Sequence, residues 1–263
     1  MKHKIHFLHK IFIALGINFY TLFCAIKGIP IYFKNYFILK KQTKNYNKFL
    51  ISSIYPILGE QFMESGIMKG HYFHQDLLVA RKIFLRNPIK HIDIGSRTDG
   101  FVAHVAVYRE IEIFDIRPQK SNVKNISYRE ANLMLLDSTL KEYCDSISAL
   151  HSIEHFGLGR YGDPIDICGH EKAINNIYEI LKLNGYFYFS VPIGPQRIEY
   201  NAHRVFSIKY LLDLFENKFE ILSFNFVDDL GNLHEDILLT EIGINTNFSC
   251  NYGCGIFELK KIN

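Results

Sequence analysis

His91-Ile92-Asp93-Ile94-Gly95-Ser96-Arg97-Thr98-Asp99-Gly100 is the stretch on which the fold turns. A short apolar run, 89–94, ends in Gly-Ser and passes into a helical pattern; a second run, 111–114, ends on Asp115. The order is strand, glycine turn, helix, strand, acid. In doubly wound α/β folds the carboxyl end of the first strand is where a nucleotide-like ligand sits. A glycine there lets backbone N–H groups approach the ligand with no Cβ in the way. Asp115 follows Asp93 by 22 residues, close to the ~20 at which an acid ending the second strand meets two ribose hydroxyls. A strand–turn–helix with one glycine is also a common structural device, so the rest of the chain has to decide.

Working outward, apolar residues recur at helical spacing over 75–85, and Asn87-Pro88 stops that helix. After the first strand the pattern predicts a helix over 98–108, strands at 110–114 and 126–129, a short helix over 136–143 and a fourth strand at 146–150. A glycine-rich loop, 157–169, leads to the clearest helix, where Ala173, Ile174, Ile177, Ile180 and Leu181 share one face and Asn184-Gly185 is the expected stop. Strand 186–191, helix 207–215, strand 220–226 and a closing strand 255–260 complete the series. This alternation predicts an α/β fold, a doubly wound, mainly parallel sheet covered on both faces.

Charge divides the chain. Residues 1–59 hold nine lysines and no acid, whereas the remaining 204 residues carry 21 basic and 27 acidic side chains. The expected organisation is a basic, apolar N-terminal extension (1–48), a helical lead-in (49–88) and an α/β domain (89–263). Residues 5–26 are strongly apolar, and 11–26 contain no charge, short of the roughly 20 residues a spanning helix needs. The start is basic like that of a signal peptide, but no small-x-small cleavage site follows. With the apolar-aromatic segment 29–39 and its flanking lysines, the extension suits either a helical subdomain or a helix lying in an anionic membrane interface. Residues 41–48 read as a linker. Five scattered cysteines make no disulfide framework, so reduced thiols and a cytoplasmic location are expected, with the inner face of the membrane as the place of any peripheral contact. The acidic balance beyond residue 60 argues against a nucleic acid partner.

The chemistry-bearing residues cluster at strand ends. His151-x-x-Glu154-His155 has the letters of an inverted zinc-protease motif, but that motif requires a helix, and here it follows a strand directly; no metal is expected. By position, His151 and Glu154 belong to the ligand side, or are structural, and His155 is a candidate general base. A second cluster, Asn201-Ala202-His203-Arg204, follows the fifth strand and adds His203 as another candidate base. Arg160, Arg197 and Arg204 place three guanidinium groups on the two loops. Such forks suit a phosphate or carboxylate of a substrate, or equally internal salt bridges.

These residues resemble the class I S-adenosylmethionine-dependent methyltransferases over about 89–260. Asp93-Ile94-Gly95 is similar to the first motif, Asp115 to the ribose-binding acid, Asn132 to the adenine-side position, and 152–156 to the signature after the fourth strand. A narrower resemblance, carried by 153–164, Val191-Pro192-Ile193-Gly194 and 201–204, is to an uncharacterised methyltransferase-like family, the domain-of-unknown-function family DUF268. The resemblance implies a seven-stranded Rossmann-like methyltransferase fold with S-adenosylmethionine as cofactor. It implies cofactor contacts at Asp93, Gly95, Ser96, Gly100, Asp115, Ile116, Asn132 and His151. The function it suggests is O-methylation of a sugar or glycan precursor, with His155 or His203 as base, Glu154 as its orienting partner, and Arg160, Arg197 and Arg204 toward an anionic acceptor. A non-catalytic or nucleotide-sugar-binding module on the same fold is the alternative. The usual first motif alternates glycines, whereas Arg97 and Asp99 stand at the later glycine positions here. Either Gly100 serves through a longer loop or the cofactor site is altered.

Overall fold

The computed structural model describes residues 11–44, 46, 48–120, 122–135 and 137–263. The chain divides into two compact units between Ile67 and Met68.

In the first unit the main element is helix α1 (Phe19–Thr43), 25 residues long and so about 37 Å at 1.5 Å per residue. Asn18 caps it, its side chain accepting from the amides of Tyr20 and Thr21 at 3.0 and 3.1 Å. The latter part of the first apolar segment, 19–26, and the second segment, 29–39, are therefore joined in one helix that runs through Pro30. The helix also takes in the first residues of the expected linker, 41–48, of which 45 and 47 lie outside the described residues. Residues 5–10 of the first apolar run lie outside them too. Gly28 is required where the returning chain crosses the helix, because a Cβ there would lie 1.7 Å from the carbonyl oxygen of Leu58.

The second unit begins with helix α2 (His71–Arg86). It buries Leu78, Val79, Ala80 and Ile83 in a core shared with the sheet, so this helix is part of the α/β body rather than a separate lead-in. The strands are β1 (His91–Ile94), β2 (Ile111–Asp115), β3 (Ile126–Glu130), β4 (Cys144–Leu150), β5 (Leu181–Ile193), β6 (Arg197–Glu199), β7 (His203–Val205), β8 (Phe219–Val227), β9 (Leu233–His234) and β10 (Gly253–Lys261). The main sheet has the order β3-β2-β1-β4-β5-β10-β8-β9. β3, β2, β1, β4 and β5 are parallel, and β10 runs antiparallel between β5 and β8. The eighth strand, β9, is a two-residue edge piece, and β6–β7 form a separate ribbon; both are too short to leave a periodic signal.

Alternation along the strands splits the core into two layers. Phe187 and Phe189 face one side with Phe114, Ile174 and Ile177 of helix α4 (Gly169–Ile180), and Leu211 and Phe215 of helix α5 (Ile208–Phe215). Tyr188 faces the other with Ile111, Ile113, Phe101, Val105 and Ile83. Three expected elements differ. The helix over 98–108 is a π turn, Thr98–Val102, followed by the four-residue helix α3 (Ala103–Ala106). Only Ser138–Leu140 of 136–143 is helical, as a 3-10 turn capped by Asp137, and Leu136 lies outside the described residues. Helix α4 ends at Ile180 and β5 starts at Leu181. Asn184 instead takes a positive φ of 63° where the β4–β5 register shifts.

The order places the ends of β1 and β4 side by side, with crossovers leaving in opposite directions. That is the switch point at which open α/β sheets leave a crevice.

Candidate functional site

The floor of this crevice is a buried polar rail joining β1 to β4. His91 Nδ1 lies 2.8 Å from Ser146 Oγ and its Nε2 lies 3.1 Å from Ser148 Oγ. Ser148 donates to Asp93 at 2.6 Å, and Asp93 also accepts from the Ser96 amide (2.9 Å) and hydroxyl (2.6 Å). Burial pushes His91 down to about 3, so it stays neutral, and pushes Asp93 up to about 6 against the opposing pull of these hydrogen bonds. Asp93 is fully buried. Its work is to close the Gly95–Ser96 turn, and it does not line the crevice.

Two clefts open above the rail and share Gly95, Arg117, His151, His155 and Tyr161. The first, about 540 Å³, is walled by Phe114, Ile116, Leu133, Met134 and Phe156, with Asp115 and Asn132 at its edge. Gly95 has φ +63, and a Cβ there would come within 3.3 Å of Ser152 Cβ and 3.9 Å of Asp115 Oδ2. Its glycine character therefore keeps the cleft open beside the acid. Asp115 pairs with Arg117, whose Nη2 lies 2.7 Å from Oδ2 and whose Nε lies 3.1 Å from Oδ1. The Arg117 guanidinium also lies 4.3 Å from the Tyr161 ring centroid.

The second cleft, about 1020 Å³, is lined by polar groups: Ser96, Arg97, Asp99, Glu154, Arg160 and His203, with Tyr72 and Tyr252. His151, with φ 51, turns the chain at the end of β4. Its Nδ1 lies 2.7 Å from Glu154 Oε1. Burial opposes charge on both partners, but His151 is raised by its contacts with Cys254 and Glu154, and Glu154 is lowered by His151 and His155. His155 Nδ1 lies 2.7 Å from the carbonyl oxygen of Ala202, which must accept, so Nδ1 carries the proton and Nε2 is the lone-pair nitrogen. Nε2 lies 3.7 Å from Glu154 Oε1. Burial, reinforced by Arg160, lowers the His155 pKa despite Glu154. His203 is likewise lowered by burial, and its Nε2 is buried with no hydrogen-bond partner.

The remaining sequence-predicted residues divide. Ile116 and Asn132 line the first cleft, Ser96 and Arg160 the second. Gly100 lies elsewhere: it packs against Asp76, where a Cβ would meet a carboxylate oxygen at 2.5 Å. It therefore does not stand in for the missing glycines. Arg97 and Asp99 bond to each other at 3.1 and 3.2 Å at the rim of the second cleft, and leave the first cleft unfilled. Arg204 is 5% exposed and donates to the carbonyls of Phe156 (2.6 Å) and Ile167 (3.0 Å). Arg197 bonds to Glu199 and to the carbonyls of Pro195 and Asn251. Both are scaffold guanidinium groups rather than acceptor-facing ones. The H-x-x-E-H letters do not form a helical ligand pair, because His155 is turned to Ala202. Arg117, Tyr161, Tyr72 and Tyr252 are site residues that sequence reasoning missed. Arg117, two residues after the acid, carried a local signal; the tyrosines at 72 and 252 carried none.

The family described as Caenorhabditis protein of unknown function, DUF268, matches residues 109–237, just under half of the 263-residue chain. No curated protein matches the chain by sequence. Among solved structures, the 1,6-didemethyltoxoflavin-N1-methyltransferase of Burkholderia thailandensis, with bound S-adenosylhomocysteine, superposes with a TM-score of 0.51 at 11% identity, over 72% of this chain and 79% of that one. The N-methyltransferase NodS of Bradyrhizobium japonicum WM9 gives 0.49 at 11%, over 74% and 89%. The [4+2]-cyclase SpnF gives 0.49 at 13%, over 81% and 85%. The crevice, strand order and superposition agree on the architecture: this chain has the Rossmann-like fold of the class I methyltransferases, and its residues 109–237 match the DUF268 family model.

Proposed function

We propose that the chain is an S-adenosylmethionine-dependent methyltransferase acting on a hydroxyl of a sugar or glycan precursor, with His155 as general base. The observation that carries this reading is the position of His155, on the boundary of both clefts, with Nδ1 anchored and Nε2 left as a proton acceptor. The first cleft suits the cofactor: an acid for ribose hydroxyls, apolar walls for a flat ring, and a glycine whose Cβ would narrow the space. When bound, the cofactor supplies an electrophilic methyl group on a sulfonium.

The chain's own residues do the rest. Asp115 exchanges its Arg117 contact for ribose hydroxyls. The apolar walls exclude water. His155 Nε2 takes the hydroxyl proton, and Glu154, 3.7 Å away, stabilises the imidazolium that forms. The lowered His155 pKa keeps the base neutral near pH 7. Arg160, held by the Ala202 carbonyl at 3.0 Å, presents its other donors to an anionic group on the acceptor. Calorimetric titration with S-adenosylmethionine and S-adenosylhomocysteine tests the reading. Micromolar binding is expected. A folded sample that binds neither sinks it, and binding of nucleotide sugars instead would favour a binding module on the same fold.

The N-terminal unit supports a second element of the proposal, peripheral contact with an anionic membrane. Phe19, Phe23, Ile26, Phe33 and Phe37 of α1 are exposed, and α1 is the helix long and apolar enough to cross a membrane among the described residues. With nine lysines and no acid in residues 1–59, this surface suits an anionic interface on the cytoplasmic side. The chain is expected to sediment with anionic vesicles at low salt and to be released by deletion of residues 1–67. Equal sedimentation with neutral vesicles, or of the deleted form, would discard it.

A further inference from the structure

His71, His151 and Cys254 come from the first turn of α2, the end of β4 and the second residue of β10. Their ligand atoms nevertheless all lie within 4.8 Å of one another. An atom at the centre of a triangle of that side is at most about 2.8 Å from each corner. Zinc–nitrogen and zinc–sulfur bonds are about 2.0–2.1 and 2.3 Å. Drawing each group inward by roughly 0.5–0.8 Å makes a ligand set of the two-histidine, one-thiolate kind.

Three independent features point to a cation here. His151 is 8% exposed, and its buried Nε2 meets no oxygen or nitrogen partner and faces the Cys254 sulfur instead. The other nitrogen, Nδ1, is fixed by the Glu154 carboxylate at 2.7 Å, the outer-shell arrangement that orients a metal-bound imidazole. Finally, His151 holds this orientation from a positive φ of 51° that is costly for a side-chain-bearing residue. Cys254 is fully buried, and its thiol reaches the Gln75 amide oxygen only at 3.7 Å. The two imidazole rings lie 5.1 Å apart and are inclined by 11°, so capture requires them to tilt toward each other. His71, at the start of its helix and less buried than the other two, is the group with room to do so.

We propose that His71, His151 and Cys254 bind one zinc ion beneath the second cleft, with Glu154 as the outer-shell carboxylate and one coordination position left for water or an acceptor oxygen. His151 also lines the first cleft, so the test reads bound metal and the thiolate band rather than cofactor affinity.

The test uses the full-length, untagged chain. After removal of metal with a chelator, zinc or cobalt(II) is added back, and bound metal, thermal midpoint and the cobalt spectrum are recorded. One equivalent of metal, a raised thermal midpoint and a cobalt–thiolate charge-transfer band are expected. Cys254→Ser abolishes the band. His71→Ala weakens zinc binding by at least about 100-fold, and Glu154→Gln by about 10–100-fold. Circular dichroism of each variant separates loss of ligand from loss of fold. A folded wild-type chain that takes up no stoichiometric metal, or a band that survives Cys254→Ser, overturns the proposal.

Discussion

The first cleft is mostly carbon, with the carboxylates of Asp115 and Asp163; the second is mostly histidine rings, guanidinium groups, phenols and carboxylates. They share Gly95 and His155, yet they are suited to different work. A largely apolar slot with a few polar groups recognises a ligand and holds it dry. A wall of titratable groups moves protons and meets charge. The contacts follow the same division: Asp115 pairs with Arg117, whereas burial lowers the pKa of His155 and of His203.

The largest effect that would break this division is in the second cleft. His155→Ala should leave cofactor affinity unchanged and reduce turnover by about 10²–10⁴-fold, measured as methyl transfer to an identified acceptor. Glu154, Arg160, His151, Tyr161 and His203 face this ring. Their net result with burial is a lowered pKa, so the active neutral base persists down through about pH 6.5 and is lost only below it. An acidic limb of kcat/KM lying above that value would exclude His155 as the base and turn attention to His203.

In the first cleft, Asp115→Ala removes acceptors for two ribose hydroxyls and should weaken S-adenosylhomocysteine binding by at least about 100-fold. Unchanged affinity by titration would take Asp115 out of the site and merge the two clefts functionally. Stability distinguishes the guanidinium groups. Arg204→Ala strands carbonyls beneath the loop after β4 and should cost about 3 kcal/mol in urea unfolding, whereas Arg160→Ala should fall within about 0.5 kcal/mol. Equal costs would mean that Arg160 is scaffold as well. The smallest effect sharpens the comparison: Arg117→Ala frees Asp115 from an exposed ion pair and should tighten cofactor binding by no more than about fivefold, the worth of about 1 kcal/mol.

Much of the α/β body was legible. Apolar runs marked β1, β2, β4 and β5 because strands buried on both faces are filled mainly with apolar side chains, the polar interruptions at His91, Asp93, Ser146 and Ser148 being hydrogen-bonded to one another, and Ala173, Ile174 and Ile177 marked α4 by their spacing. The failures have local causes. At 98–108 the helical pattern is genuine, but it opens with a π turn in which Gly100 packs on Asp76. At 136–143 a helical reading lost to a capped 3-10 turn. Arg197 and Arg204 had the right residue type for an anion site. Main-chain carbonyls of neighbouring loops claim them instead, and no pattern in the sequence records where those carbonyls lie.

What the sequence by itself determined is everything written in short-range order: the strand–glycine–helix–strand–acid succession, the position of His155 after a strand, and the change of charge near residue 60. These depend on neighbours along the chain, where periods of 2 and 3.6 residues and turn chemistry operate. Only the tertiary structure decided that Arg117 covers Asp115, that Arg204 is scaffold, that Tyr72 and Tyr252 close one cleft, and that residues 71, 151 and 254 meet. Those contacts cross from α2 to β4 to the antiparallel β10. Their distances are set by sheet order and crossover geometry, which no local spacing specifies.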